Sequence, residues 1–209
     1  MDPRIDHVVT SGTFSLDGQT FEVDNNVWLI GDDAECLVFD APHDPDAIVD
    51  LVGDRRLTAI LATHAHDDHI RAAPRLAEIT GAPVLLHPDD LPLWRQTHPD
   101  RDPDGPLRDG EVVEVAGIAV TVLHTPGHAP GACCFHVPAF GALFSGDTLF
   151  RGGPGATGRS FSDFDTIVAS IRDRLLVLDP DTVVHPGHGD DTTIGTERPD
   201  VAEWVRRGH

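Results

Sequence analysis

At 209 residues and 40% hydrophobic, the chain is long enough for one domain with a full core that needs no covalent staples. Its 15 basic residues stand against 35 acidic ones, a formal charge of −20 that repels nucleic acid and anionic membranes, and no basic stretch offers a phosphate footprint. The amino terminus lacks the apolar core of a secretory signal, and no run approaches the roughly 20 apolar residues of a membrane span, so a cytoplasmic protein with a small-molecule partner is expected.

Residues 7 to 41 read as β-rich. Phe14, Leu16, Phe21 and Val23 precede the runs Val27-Trp28-Leu29-Ile30 and Leu37-Val38-Phe39, and Gly31-Asp32-Asp33 between those runs is hairpin-turn chemistry. Asp44-Pro45 opens a short helix through Ala47, Ile48, Leu51 and Val52, and Gly53 stops it. Leu57 to Ala62 is almost wholly apolar, the pattern of a strand covered on both faces. A helix is expected from near Ala73 to Thr80, with Pro74 in its first turn and Gly81 closing it, and Pro83 to Leu86 follows as a strand. Residues 88 to 110, rich in Pro and Asp, predict a short helix around Leu91 to Arg95 and then loop. Val112-Val113 and Ile118 to Leu123 make two strands about the Gly117 turn, and Ala132 to Val137 and Ala142 to Ser145 make another pair. The Gly-rich loop Arg151 to Arg159 leads into a helix over roughly Asp163 to Leu178; Thr182-Val183-Val184 is the final strand, and Glu197 to Arg207 is helical. A β-rich half and a helix, twice over, is neither an all-β pattern nor strict βαβ alternation. It predicts an α/β fold of two mixed sheets packed together with helices outside, as a single domain over 1–209. Cys36, Cys133 and Cys134 are an odd set, two of them adjacent in an apolar segment, which fits reduced thiols in a core.

Thr63-His64-Ala65-His66-Asp67-Asp68-His69 packs three histidines and two carboxylates into seven residues directly after an apolar strand. His64 and His66 are two apart, so in extended or turning backbone they share a side, whereas in a helix they would sit about 200° apart. One such residue alone is usually a solvated polar group at a strand end; the cluster points to metal ligation. Imidazole and carboxylate donors suit zinc, iron and manganese. The same punctuation recurs. Val120 to Leu123 ends in His124-Thr125-Pro126-Gly127-His128, Ala142-Leu143-Phe144 ends in Ser145-Gly146-Asp147, and Val183-Val184 ends in His185-Pro186-Gly187-His188. Strand ends of a common core converge on one rim, and tight turns hold the donors there. His64, His66, Asp68, His69, His128, Asp147 and His188 are too many for one tetrahedral ion; two ions sharing Asp147 as a bridge would have three private ligands each. His124 and His185 sit one step earlier in their turns and read as supporting residues. Asp67 reads as a solvated neighbour, and His7, His43, His87, His98, His136 and His209 as structural or surface residues.

THAHDDH at 63–69 matches the HxHxDH signature of the metallo-β-lactamase superfamily, and TPGH at 125–128, GD at 146–147 and GH at 187–188 match its later ligand motifs in order. The likeness spans residues 25 to 195 and implies a four-layer αββα sandwich. It also implies His64, His66 and His128 on a first metal, Asp68, His69 and His188 on a second, and Asp147 between them. HTPGH, GACCF, GDTLF and GHGDDTTIGTE resemble the glyoxalase II group, especially its short bacterial members; an Asp rather than a Cys at 147 argues against β-lactam hydrolysis. The resemblance therefore implies two divalent ions, zinc foremost with iron or manganese as alternatives, and hydrolysis of a small thioester such as an S-lactoyl or S-formyl conjugate. The nucleophile would be a hydroxide bridging the ions, with Asp68 beside it as catalytic carboxylate. The chain departs from longer glyoxalase II enzymes in having no Tyr and no Lys, the residue types those enzymes set around glutathione, and a C-terminal helical glutathione-binding domain is not expected after His188. Arg151 and Arg159, in the loop on the substrate side, are the candidate substrate-binding cations. A mononuclear iron enzyme resembling the persulfide dioxygenases, using His64, His128 and Asp147, is the alternative; lactone or phosphoester hydrolysis is another. Because histidines bind metal only when neutral, metal loss is expected below about pH 6.

Overall fold

The computed structural model describes residues 2–208. β1 (Arg4–Leu16) and β2 (Gln19–Gly31) form one long antiparallel hairpin. Its turn is Asp17-Gly18, both at positive φ (53° and 74°), the conformation a two-residue turn needs to match the twist of its strands. This turn was not among the expected ones. β2 pairs back onto β3 (Glu35–Phe39) as predicted from Gly31-Asp32-Asp33, and β4 (Arg56–Leu61), β5 (Val84–Leu86) and β6 (Gly105–Pro106) add in parallel. The helices between these strands are α1 (Pro45–Val52), α2 (Asp67–Ile70), α3 (Ala73–Thr80) and α4 (Leu91–Thr97). α1 begins where the Asp44 carboxylate accepts the N–H groups of Asp46 and Ala47.

The second sheet contains β7 (Val112–Val115), β8 (Ile118–His124), β9 (Cys133–Val137) and β10 (Ala142–Gly146). After a small ribbon of β11 (Leu149–Phe150) and β12 (Gly153–Pro154), it is completed by β13 (Val183–Pro186), parallel to β10, and β14 (Thr192–Thr193). α5 (Phe164–Ser170) is shorter than expected: from Ile171 the chain widens into a turn in which the Leu176 N–H donates to Ile171 O. The C-terminal helical stretch is split into α6 (Ile194–Glu197) and α7 (Val201–Arg207) at Pro199, which has no N–H to continue a helix.

Three buried clusters make a four-layer sandwich. Alternation along β2, β3 and β4 sends Leu29, Val38 and Ile60 toward α1, α3 and α4, and sends Ile30, Leu37, Phe39 and Leu61 toward Val120, Val122, Phe135 and Phe144 of the second sheet. Cys134, Leu143 and Val184 face the other way, against Ile167, Ile171, Ile194 and Trp204. This explains the nearly continuous apolar runs, since strands with both faces covered lose their polar alternation. All three cysteines are buried and unpaired, as expected. No helix among the described residues is long and apolar enough to cross a membrane. His209 lies outside the described residues.

Candidate metal centre

Ligand-bearing turns follow β4, β8, β10 and β13, and the packing of the two sheets brings these four strand ends onto one rim. His64, His66 and His128 are brought together, as are Asp68, His69 and His188, with donor atoms in each set within 4.8 Å of one another. Asp147 lies between the sets: its carboxylate oxygens are 3.6 Å from His128 Nε2, 3.4 Å from His69 Nε2 and 3.5 Å from His188 Nε2. The 187 position admits only glycine, because a Cβ there would stand 2.5 Å from Asp147 Oδ1 and 2.6 Å from His69 Cε1.

Proton counting shows what the first set is built for. The Thr63 hydroxyl donates to Asp40, so it accepts from His64 Nδ1 at 3.1 Å, and His128 Nδ1 donates to Ala156 O at 2.8 Å. Each imidazole therefore turns a bare Nε2 lone pair inward, both facing His66 Nδ1, at 2.9 and 3.0 Å. Only one of the two can receive a proton from His66, whose own Nε2 is buried without a partner and whose ring packs edge-on to Phe14. Burial, followed by the neighbouring imidazoles, lowers the pKa of His64 and takes His66 down to about 3; burial lowers His128 as well. Neutral nitrogens with converging lone pairs, beside an Asp147 Oδ1 that is also buried without a hydrogen bond, fit a divalent cation.

The second set is charged. His69 Nδ1 donates to Asp40 Oδ2 at 2.8 Å and His188 Nδ1 to Asp24 O at 2.7 Å, leaving their Nε2 atoms 3.2 Å apart beside Asp68 and Asp147. Burial opposes a charge on His188, but the Asp147 charge and hydrogen bonds to Asp147 and Asp68 outweigh it and lift the imidazole to about 10. His69 is raised against its burial by Asp147, Asp68 and Asp40. Asp68, despite burial, is held at about 2 by His69 and by hydrogen bonds from His188 and Asn25.

Three supporting carboxylate or amide residues were not singled out in the sequence. Asp40, buried and at φ 63°, takes a left-handed turn that Asp tolerates, and its carboxylate receives the Thr63 N–H, the Thr63 hydroxyl and His69 Nδ1. A signal existed: Phe39-Asp40 is a fifth apolar strand ending in a ligand-type residue. Asn25 donates from Nδ2 to Asp68 Oδ2 at 3.1 Å and receives His43 Nε2 at 2.8 Å on its Oδ1, so His43 supports the site through Asn25. Asp90, fully buried, accepts the N–H of Ala65, between His64 and His66, and that of Gly131, just past His128. Burial outweighs those two donors and raises its pKa to about 6.

Other expectations sort as follows. Asp67 is not a solvated neighbour: it accepts the Ser15 N–H at 3.0 Å and pairs with Arg71, tying α2 to the hairpin. His185 is stacked near Trp28 and Phe144 and pairs with Asp191. His124 donates to Pro130 O and lies flat on His87, rings 4.0 Å apart and 10° from parallel. That stacking disqualifies the cluster of His87, Asp89 and His124 as a further metal site, since in-plane lone pairs of parallel rings do not meet at one ion. Arg151 pairs with Asp190 on the surface, and Arg159 lies over the Phe14 and Phe21 rings with a hydrogen bond to Gln19. The two sets also differ in proton affinity, the first set's histidines being lowered by burial and His69 and His188 raised by the carboxylates beside them.

Residues 21–188 match the metallo-beta-lactamase superfamily. The hydroxyacylglutathione hydrolase GloC of Haemophilus influenzae is 33% identical over 189 residues, covering 83% of this chain and 89% of that protein. Among solved structures, TTHA1623 in a di-iron-bound form is 36% identical with a TM-score of 0.73, covering 84% of this chain and 93% of that one. ETHE1 from Myxococcus xanthus is 27% identical with a TM-score of 0.75, covering 93% and 85%. With the family match spanning most of the chain and a relative of this identity covered over most of its length, the chain belongs to the metallo-β-lactamase superfamily.

Proposed function

We propose that this protein is a dinuclear metal-dependent hydrolase of small thioesters, such as S-lactoyl or S-formyl conjugates of a low-molecular-weight thiol. The observation that carries this reading is the pair of three-donor sets sharing one carboxylate, Asp147. His64, His66 and His128 would hold one ion, Asp68, His69 and His188 the other, and Asp147 both; zinc is the first choice, with iron or manganese also suited to these donors. Bound there, divalent ions supply ionised water near neutral pH and a Lewis acid for a carbonyl oxygen.

The chain's own groups set up the rest. Asp68, fixed by the Asn25 amide, would stay ionised beside bound cations; too weak a base to deprotonate water, it would orient the attacking molecule by accepting its hydrogen bond. The water oxygen bonds to the acyl carbon, the C–S bond breaks, and the carrier leaves as a thiolate with the water's proton released. A thiol with a pKa of about 8.5 leaves without a general acid. The chain's cysteines do not serve as nucleophiles, since burial raises all three thiols, Cys134 to about 11. Arg159, laid across Phe14 and Phe21, shapes the substrate side by pinning the 151–160 loop to the hairpin.

The GloC likeness supports thioester hydrolysis, and the ETHE1 likeness keeps a mononuclear iron oxygenase as the second reading. Metal identity and stoichiometry on protein purified without chelator, a thioester panel, and oxygen uptake with glutathione persulfide separate them. Two ions per chain with thioester cleavage are expected. One iron per chain with oxygen consumption would overturn the proposal.

A further inference from the structure

We infer that the thiol carrier recognised beside this metal centre is uncharged and hydroxyl-rich, a glycoside or polyol thiol, rather than an anionic peptide thiol of the glutathione kind. The inference rests on the thioesterase reading above and names its substrate class. A cleft of about 430 Å³ opens next to His66, between the Asp17-Gly18 hairpin turn, the start of α2 and the side of α4. A lactoyl or formyl group needs only a few atoms of space at the reacting carbon, so a cleft of this size serves the carrier.

Its polar lining comes from Asp17, Gln19, Thr20, Asp67, Gln96 and Thr97, and Leu16 and Leu93 supply its apolar surface. Hydroxyls, amides and carboxylates are the partners a sugar needs, because each sugar hydroxyl both donates and accepts, and the leucines suit its C–H face. Among the described residues, no Arg or Lys lines the cleft. Arg71 is committed to Asp67 and Thr13, Arg159 is stacked on two phenylalanines and bonded to Gln19, Arg151 is paired with Asp190, and the sequence has no lysine. A carrier bearing carboxylates would find no unpaired guanidinium and would meet the exposed Asp17, the Asp67 charge being itself offset by Arg71, and like charges across an interface reject a partner. A cationic carrier would find Asp67 already paired with Arg71, and Asp17 accepting the Ser160 N–H within the field of Arg159.

The test uses protein purified with its metals and three lactoyl thioesters that differ only in carrier: 2-mercaptoethyl β-glucoside, N-acetylcysteamine and glutathione. The glucoside is expected to show kcat/KM at least about tenfold above glutathione, the scale of one unfavourable charge contact, and above N-acetylcysteamine. Added salt should raise the glutathione rate and leave the glucoside rate unchanged. Asp17→Asn should narrow the glucoside-to-glutathione ratio severalfold; an unchanged ratio removes this cleft from carrier recognition. Saturation-transfer NMR on metal-free protein gives a readout independent of turnover, with the S-methyl glucoside expected to bind and S-methylglutathione not. A glutathione conjugate cleaved as fast as the glucoside, or N-acetylcysteamine matching it, overturns the inference and leaves thioester hydrolysis standing. Cleavage of none of the three overturns the thioesterase reading and the carrier inference with it.

Discussion

The two halves of the donor cluster await a cation in opposite ways. His64, His66 and His128 are buried, uncharged and crowded, with lone pairs facing one another. Asp68, His69 and His188 form internal ion pairs, and His188 remains a quarter exposed. In the first half burial disfavours the protons, so a metal bound there would displace few and would relieve lone-pair repulsion. In the second half the carboxylates favour protons on His69 and His188, which an arriving ion would have to evict. Histidine count therefore misjudges metal affinity: the carboxylate-rich half, with more formal negative charge, is the one where protons compete.

The largest change should follow removal of the residue both halves share. Asp147→Ala should lose the second ion and lower turnover by more than the roughly 10–100-fold that losing an outer partner of a metal ligand costs. Two ions retained per chain with unchanged turnover would remove Asp147 from the bridging role. The next effect is in pH. Affinity for the second ion should rise with pH and level off as His188 titrates near 10, by up to two log units per pH unit where both imidazoles are protonated, while first-ion content stays level from pH 8 to 5. The metal-free protein should show the matching sign in stability. His188 is raised from the ordinary value of about 6.5 to about 10, so its contribution is complete below 6.5 and is lost as pH rises through 10. Calorimetry should find the metal-free melting temperature lower at pH 10 than at pH 6.5.

Smaller effects sharpen the contrast through the supporting carboxylates. Asp40→Asn should weaken the second ion by roughly 10–100-fold, because His69 loses the acceptor that directs its Nε2 inward, while the first ion is touched only through Thr63. Asp90→Ala is its mirror image. It leaves the Ala65 and Gly131 N–H groups buried without acceptors, about 1–3 kcal/mol each, and should loosen the first ion while sparing the second. Metal competition with a chromophoric chelator and a melting curve check both variants; equal effects on the two ions in either one would dissolve the distinction.

The donors and their backbone setting were readable in the chain because ligand-type residues follow apolar strands at tight turns. Asp40 carried the same sign, an apolar run ending in a carboxylate, yet it neighbours no second ligand in sequence. Its partners Thr63 and His69 lie 23 and 29 residues away, and only the parallel pairing of β3 and β4 brings them together. Asp67 misled for the converse reason: its sequence neighbours are ligands, while its own partner, the Ser15 N–H, lies 52 residues back on the hairpin. The Asp17-Gly18 turn followed ordinary turn chemistry but fell inside a stretch read simply as β-rich, which hid the hairpin that walls the cleft.

Local sequence by itself determined the layers, the helix caps and the seven candidate donors, because hydrophobic periodicity and turn residues act over a few positions. Only the tertiary structure decided which nitrogens are bare and which are protonated, which carboxylates orient them, and that the cationic side chains beside the cleft are engaged. Those properties depend on burial and on partners tens of residues away, and short-range pattern carries no record of either.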